Sequence, residues 1–418
     1  MKNSGVEWIG EIPENWEVKR GKELFFEIND RCKNPENYPL LSVSEYYGVA
    51  PKSEKIDEGD FITHAETLDG YKICQEGDIV QNIMLAWKRA TGMSNYEGLI
   101  SPAYCIYRPF KGVNSKYYHY LFRTDVYADL FKQFSTGIID SRLRLYPAKF
   151  LSLKYAYPPK STQQRIASYL DKKCSKIEET IQNQQQVIEK LKTYKQSLIT
   201  EAVTGKIKIQ NEIPDFKYFN LGFIAEFKNG LNYNASDFGT EVKFLGVGDF
   251  QNYLVLNDES MFSNIITDTE IEDDYYLKNG DIIFVRSNGS KELVGRAIMV
   301  DNIDFKLTYS GFCIRLRNKE PQKINSKFLL YFFRSDHFRN ELQRLSQGSN
   351  ISNINQDLLS HIKIPLVEMR FQESVIDFLN KKCTAIDTAI EQKQNLIEKL
   401  TEYKKSLIYE CITGKKEI

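Results

Sequence analysis

No sign of charge dominates this 418-residue chain: Lys+Arg and Asp+Glu both number 56, for a formal charge of zero. No global field attracts a polyanion, so any nucleic-acid contact has to come from local basic surface. Cysteine is scarce, and its seven positions (Cys32, Cys74, Cys105, Cys174, Cys313, Cys383, Cys411) are odd in number and widely spaced, with no C-x-x-C pair. That spacing argues against a disulfide framework or a zinc site. Only four histidines occur, His64, His119, His337 and His361, none in an H-x-x-x-H arrangement. A lone His or Cys is far more often ordinary packing than a ligand or nucleophile, so none is assigned a catalytic or metal role. There is no run of 18 or more apolar residues and no charged, apolar, small-residue leader at Met1, which argues against a membrane span or secretory signal and places the protein in a cytoplasm. What the chain does have is 42% hydrophobic and 13% aromatic residues, enough to bury sizeable cores in the two to three domains that its length predicts.

The chain is written twice. Residues 172–209 align without gaps on residues 381–418, with 20 of 38 positions identical. Upstream, Asn114-Ser115-Lys116 followed by YYHYLFRTD answers Asn325-Ser326-Lys327 followed by FLLYFFRSD, and E-G-D-I at 76–79 answers N-G-D-I at 279–282. Glu11-Ile12-Pro13 opens the first unit as Glu212-Ile213-Pro214 opens the second, so the repeat is roughly 200 residues. Glu417-Ile418 resembles the start of a third copy, which predicts a C-terminus close to the start of the first unit.

Each copy ends in one long helix. Apolar residues fall at Ile166, Leu170, Ile177, Ile181, Ile188, Leu191, Leu198 and Ala202, with Lys173, Gln184 and Lys195 filling the seam. The steps stay near the 3.5-residue coiled-coil period, with one stutter. The second copy repeats them at Val375, Leu379, Ile386, Ile390, Ile397, Leu400, Leu407 and Cys411, and Thr204-Gly205 and Thr413-Gly414 supply the stops. About 40 residues make a rod of about 60 Å, which overhangs a 150-residue domain and needs a partner for its seam. The best partner is the other copy, paired antiparallel about a pseudo-twofold axis. Gln184 and Lys393, at equivalent seam positions, then act as a register device.

The globular parts read as α+β. Short apolar runs at 78–84, 103–107, 281–285 and 313–316, bounded by Gly, Pro, Asn and Asp, predict strands. Residues 116–134 and 327–345 carry Tyr, Leu and Phe at three- and four-residue spacing after an Asn-Ser cap, the pattern of an amphipathic helix whose aromatics are core.

Taken together, these motifs resemble the specificity (S) subunit of type I restriction-modification systems, over nearly the whole chain. W-I-G-E-I-P-E-N-W-E-V at 8–18 is similar to the family's usual start, and 77–104 and 280–296 resemble two classes of its target recognition domain. The coiled-coil repeats opening with Gln163-Gln164-Arg165-Ile166 and Gln372-Glu373-Ser374-Val375 resemble its two conserved regions. The resemblance implies an α+β fold with two mixed target recognition domains, 1–160 and 209–369, separated by two long helices, 161–208 and 370–418, in an antiparallel coiled coil. Each recognition domain would read one half of a bipartite, asymmetric site in double-stranded DNA. The helices, with Ile177, Ile181, Ile188, Leu191, Leu198, Ile386, Ile390, Ile397, Leu400 and Leu407 as seam, would set the spacing. They would also dock two methyltransferase (modification) subunits and, through them, restriction/translocase subunits.

Candidate DNA contacts lie where charge neutrality is broken locally. Residues 135–160 hold Arg142, Arg144, Lys149, Lys154 and Lys160 against one acid, Asp140. The counterpart at 346–355 exchanges arginines for amides, among them Asn350, Asn353 and Asn355. Asn and Gln suit bidentate pairing with adenine as Arg suits guanine. Lys88 and Arg89, and the run Arg286, Ser287, Asn288, Gly289, Ser290 and Lys291, follow predicted strands and offer donors at turns. The bland alternatives are solvated loops and an ordinary hairpin.

Two rival classes are enzymes. Phe244-Leu245-Gly246-Val247-Gly248 has the F-x-G-x-G shape of an S-adenosylmethionine loop, but no Asn/Asp-Pro-Pro-aromatic segment accompanies it; Pro158-Pro159 is preceded by Tyr157 and followed by Lys160. No Walker A loop occurs, so S-adenosylmethionine, ATP and Mg²⁺ are expected on partner subunits and no catalytic residue or metal on this chain. A nuclease built on Glu272, Asp273 and Asp274 is the other enzyme reading, and a purely structural coiled-coil protein a third.

Overall fold

The computed structural model describes residues 1–32, 35–53, 68, 70–210, 216–232, 235–251, 254–268, 270–290, 292–346 and 353–418, with nothing said of the side chains of 235–238 and 251. The repeat opening at Glu212-Ile213-Pro214 therefore lies outside the described residues. The chain forms two compact units, one of residues 1–184 and 395–418, the other of 185–394.

The long helices are Lys160–Val203 and Met369–Ile412, each of 44 residues, and both bounds repeat at the offset of 209 that aligns the sequences. Both stop where the sequence places a glycine in the left-handed region, Gly205 at φ +71° and Gly414 at φ +72°. There the Lys206 amide donates back to the Glu201 carbonyl (2.9 Å), closing the end as a Schellman turn does.

The helices pack together antiparallel. In the first unit Glu178 of the first helix pairs with Lys404 of the second. In the second unit Lys195 pairs with Asp387 at 2.6 Å. Glu178 and Asp387 are equivalent positions, as are Lys195 and Lys404, so the two ion pairs are one pair written twice, and in both the residue numbers sum to 582. Ile177, Ile181, Leu400 and Leu407 pack into the first unit's core. Leu191, Leu198, Ile386 and Ile390 pack into the second's, Ile188 is buried, and Ile397 is half-buried.

Each globular part is built on the same antiparallel sheet. In the first unit the strand order is Phe25–Ile28, Tyr104–Pro109, Ile79–Asn82, Thr91–Met93. In the second it is Ala225–Asn229, Cys313–Asn318, Ile282–Val285, Ala297–Val300, with Val255–Leu256 added parallel at the edge. The repeated G-D-I motif has a structural task here. Asp78 accepts two 2.9 Å bonds from Arg108, and Asp281 accepts 2.9 and 2.6 Å bonds from Arg317, each tying the start of one central strand to its neighbour.

Residues 116–134 are two helices where the spacing predicts one: Ser115–Phe122 and Asp125–Gln133. The same correction applies to 327–345, which forms Ser326–Phe333 and Asp336–Leu345. The break falls in the repeated Phe-Arg-Thr/Ser-Asp. Ser335 takes extended backbone angles and its hydroxyl accepts from the Phe338 amide, so a cap begins a new helix inside an unbroken apolar pattern. The aromatics are core: Tyr117, Tyr118, Phe122 and Phe131 are buried in the first unit, Phe328, Phe332, Phe333 and Phe338 in the second.

Repeated glutamines join each globular part to its long helix. Gln163 is fully buried; its carboxamide accepts from the Asn114 amide and donates to the Pro158 carbonyl, both at 2.8 Å. Gln372 does the same with the Asn325 amide and the Val367 carbonyl, also at 2.8 Å. Removing either amide strands a buried donor and acceptor. Gln163→Ala and Gln372→Ala are each expected to cost about 1–3 kcal/mol, read by denaturant unfolding; a cost below about 0.5 kcal/mol would show the joint to be dispensable.

Near the C-terminus, a side chain at Gly414 would meet Pro13 at 2.4 Å, and Ile418 packs on the first unit's core, so the chain end does lie against the start of the first unit. All seven cysteines are free thiols. Among the described residues no helix is long and apolar enough to cross a membrane.

Candidate nucleic-acid interface

Two loops meet at one end of each sheet. In the first unit the chain leaves the strand Ile79–Asn82, makes the tight turn Ala86–Lys88 and reverses at Arg89, which sits in the left-handed region at φ +68°. The second loop, 135–146, follows the helix Asp125–Gln133. The Leu145 amide donates to the Ile83 carbonyl at 2.9 Å, and Leu145 is fully buried. In the second unit the Ile354 amide donates to the Arg286 carbonyl, again at 2.9 Å, with Ile354 buried. Ile83 and Arg286 are each the first residue after the equivalent strand, and Leu145 and Ile354 are equivalent at the 209 offset. One backbone bond thus joins the two segments in the same way in both units.

The platform gathers the candidates of the first unit unevenly. Lys88 lies over the Trp87 ring at 5.3 Å, and Lys132, which its sequence context does not single out, lies over the same ring at 4.9 Å. Lys132 also pairs with Asp140 at 2.8 Å, so one lysine links the two loops and neutralises the acid on the second. Arg142 is exposed on a single turn, Asp140–Arg142, and Arg144 is half-buried with its backbone paired to Thr136. Lys149 is exposed on the following short helix, Pro147–Ser152. Arg89 turns away and pairs with Asp125.

Beneath the turn sits Arg123, missed by sequence reasoning although it lies in the repeated Phe-Arg-Thr/Ser-Asp. Its guanidinium donates to the carbonyls of Arg89 (2.7 Å), Tyr46 (2.8 Å) and Glu45 (3.0 Å). Burial draws its pKa down to about 10, and five N–H donors in a rigid fork explain why Arg is used to gather carbonyls from two loops. Arg334 repeats it less fully, donating to the Ala297 carbonyl at 3.5 Å, and is likewise lowered to about 10 by burial. His119, beside Arg123, accepts from the Met93 amide at 3.2 Å; burial first, then Arg123, lower its pKa to about 3, so it stays neutral.

In the second unit Arg286 donates to the Gly311 carbonyl at 3.4 Å, and Ser287 bridges to Asn353, which brings both candidate segments together. Asn288 accepts from the Ser290 amide at 2.7 Å, as turn residues do, and Asn353 is exposed. The Asn355 oxygen caps the helix Gln356–Ser360 by accepting from the Leu358 amide at 2.7 Å, leaving its amide nitrogen for other contacts. Lys291 and Asn350 lie outside the described residues.

The segments behind the rival readings are engaged structurally. Asp274 pairs with Lys228 (2.6 Å) and with the buried Arg315 (3.2 Å), contacts that lower its pKa. Among the described residues no cluster of three His, Cys, Asp or Glu could hold a metal. In 244–248 the Gly246 amide donates to Asp249 at 2.8 Å, closing a turn.

Comparison with known proteins connects this duplicated α+β architecture on paired long helices to specificity subunits. Residues 214–401 match the family described as the type I restriction modification DNA specificity domain. The specificity subunit of the type I restriction enzyme StySPI, from Salmonella potsdam, is 26% identical over 97% of this chain and 90% of its own length. That of EcoKI, from Escherichia coli, is 23% identical over the same shares of the two chains. In fold, the chain resembles a solved structure describing complex assembly and conformational transition of the type I restriction-modification system, with a TM-score of 0.73 at 12% identity, over 97% of this chain and 100% of that one. An HsdS subunit from Thermoanaerobacter tengcongensis matches at a TM-score of 0.59 and 14% identity over both whole chains. The chain is thus similar over nearly its whole length to specificity subunits of type I restriction-modification systems, and residues 214–401 match that family's DNA specificity domain.

Proposed function

We propose that each platform reads one half of a bipartite, asymmetric site in double-stranded DNA, with 1–160 and 209–369 as the two target recognition domains. The observation that carries this is the duplicated loop junction, Leu145 to Ile83 and Ile354 to Arg286, which presents different side chains on one scaffold. The same backbone with unlike loops suits unlike half-sites. Lys88, Arg142, Arg144 and Lys149 supply cations to one half; Arg286, Ser287, Asn288, Ser290, Asn353 and Asn355, with Lys291 and Asn350, supply donors and amides to the other. Two readers address one face of a duplex when their centres stand about one helical turn, roughly 34 Å, or a multiple apart. The paired helices serve as that spacer and as the dock for two methyltransferase subunits, through which restriction/translocase subunits join. The chain itself performs no chemistry; S-adenosylmethionine, ATP and Mg²⁺ act on those partners.

Comparing methylated genomic sites in a host with and without the gene tests this. A split motif that vanishes with the gene supports it; methyl transfer or cleavage by the purified chain alone overturns it. Within the first platform, Lys88→Met and Arg142→Met should each weaken binding on all sequences and reduce the slope of log K against log salt by about 0.9 for each phosphate no longer neutralised. A salt titration that leaves the slope unchanged would show that the residue does not touch a phosphate.

A further inference from the structure

The first platform also carries apolar residues with nothing to pack on. Ile138 is 100% exposed and Ile139 53% exposed at the tip of the second loop. The tip is held rather than loose. Thr136 and Arg144 exchange two backbone bonds of 2.9 and 3.0 Å across its base, and Leu143 and Leu145 anchor it below. Gly137 permits the tight closure, since a side chain there would meet the Arg142 carbonyl oxygen at 2.6 Å. Leu85 on the first loop and Tyr146 just beyond the second are also exposed.

What covers such a tip is decided by its surroundings. It is flanked by Lys88, Arg142 and Arg144, and the one acid on the loop, Asp140, is neutralised by Lys132. Cations around an apolar point fit a polyanion with a stacked apolar interior, and apolar wedges flanked by basic residues part base steps and bend duplexes by about 20–90°. We propose that Ile138 and Ile139 insert between base pairs of the half-site read by the first unit, so that this half is recognised partly by how readily its steps unstack. The inference rests on the DNA-reading function above and concerns the first unit.

The test uses the full chain assembled with its methyltransferase subunits and a duplex carrying the methylated genomic site. Permanganate reactivity of thymines, and 2-aminopurine in place of adenines, report unstacking step by step. Methyltransferase subunits extrude their own target bases, so the native complex is expected to expose, beyond those bases, one further step in the half-site read by the first unit only. The Ile138→Ser/Ile139→Ser variant should restack it and bind at least tenfold more weakly with the salt slope unchanged, while Ile138→Leu/Ile139→Leu retains both effects. The wedge is overturned if the serine variant binds within twofold of native and neither protein unstacks a step beyond the extruded target bases. It is equally overturned if the serine variant fails to assemble with the methyltransferase subunits, which would make the tip a protein contact. Failure of the native complex to protect the duplex at all would reject the DNA-reading function itself, and is told apart because no footprint appears in either half.

Discussion

Matched four-residue insertions, one after Thr180 and one after Thr401, should yield a subunit that directs methylation to a site with both half-sites unchanged and one or two more unread base pairs between them. Each added turn lengthens a helix by about 6 Å, against 3.4 Å per base pair. The insertions must be paired because Glu178 meets Lys404 and Lys195 meets Asp387 in one antiparallel register. Lengthening the first helix alone shifts these two pairs by four residues against each other, so one of them, with its surrounding seam, has to be given up. A single insertion is therefore expected to abolish folding or assembly, and a two-residue insertion, which rotates the stripe by about 200° and exposes Ile181, Ile188 and Leu191, to abolish both. Sequencing of methylated sites decides the matter. Activity of the matched variant on the original spacing would show that the helices are not the ruler.

Exchange of the first recognition region for that of a relative should change one half of the methylated site completely and leave the other half and the spacing as they were. The expectation follows from two cores that each close within one unit, the aromatic cluster around Phe122, Phe131 and Phe150 in the first and that around Phe284, Phe332 and Phe338 in the second. The joints to be preserved are Gln163 with Asn114 and the C-terminal segment against Tyr117, whose hydroxyl donates to the Ile412 carbonyl at 2.8 Å. A change in both halves would refute independent reading.

The duplication, the two long helices and their antiparallel pairing could all be derived from the order of residues, because a repeat and a 3.5-residue stripe are one-dimensional signals. The helix bounds, offset by 209 at both ends, bear this out. The break at Arg123-Thr124 was less legible. An apolar pattern continues through it, and only the cap chemistry of Thr/Ser-Asp marks where one helix stops and the next begins. Lys88 and Arg142 could be selected as candidate cations from a turn after a strand and from a locally basic segment, whereas Arg89, chosen with Lys88 on the same ground, spends its charge on Asp125. Local sequence could not distinguish them, since the partner lies 36 residues away.

By itself, then, the sequence determined the repeat, the coiled-coil seam and the family resemblance, each of which depends on the order and spacing of motifs along the chain. Only the tertiary structure decided that the loops after Asn82 and before Pro147 form one surface, that Lys132 joins them over Trp87, and that Arg123 holds the turn from beneath. These depend on contacts between residues tens of positions apart. Such contacts leave no periodicity to read, because chain folding brings them together and the hydrogen-bonding needs of buried backbone and guanidinium groups hold them there.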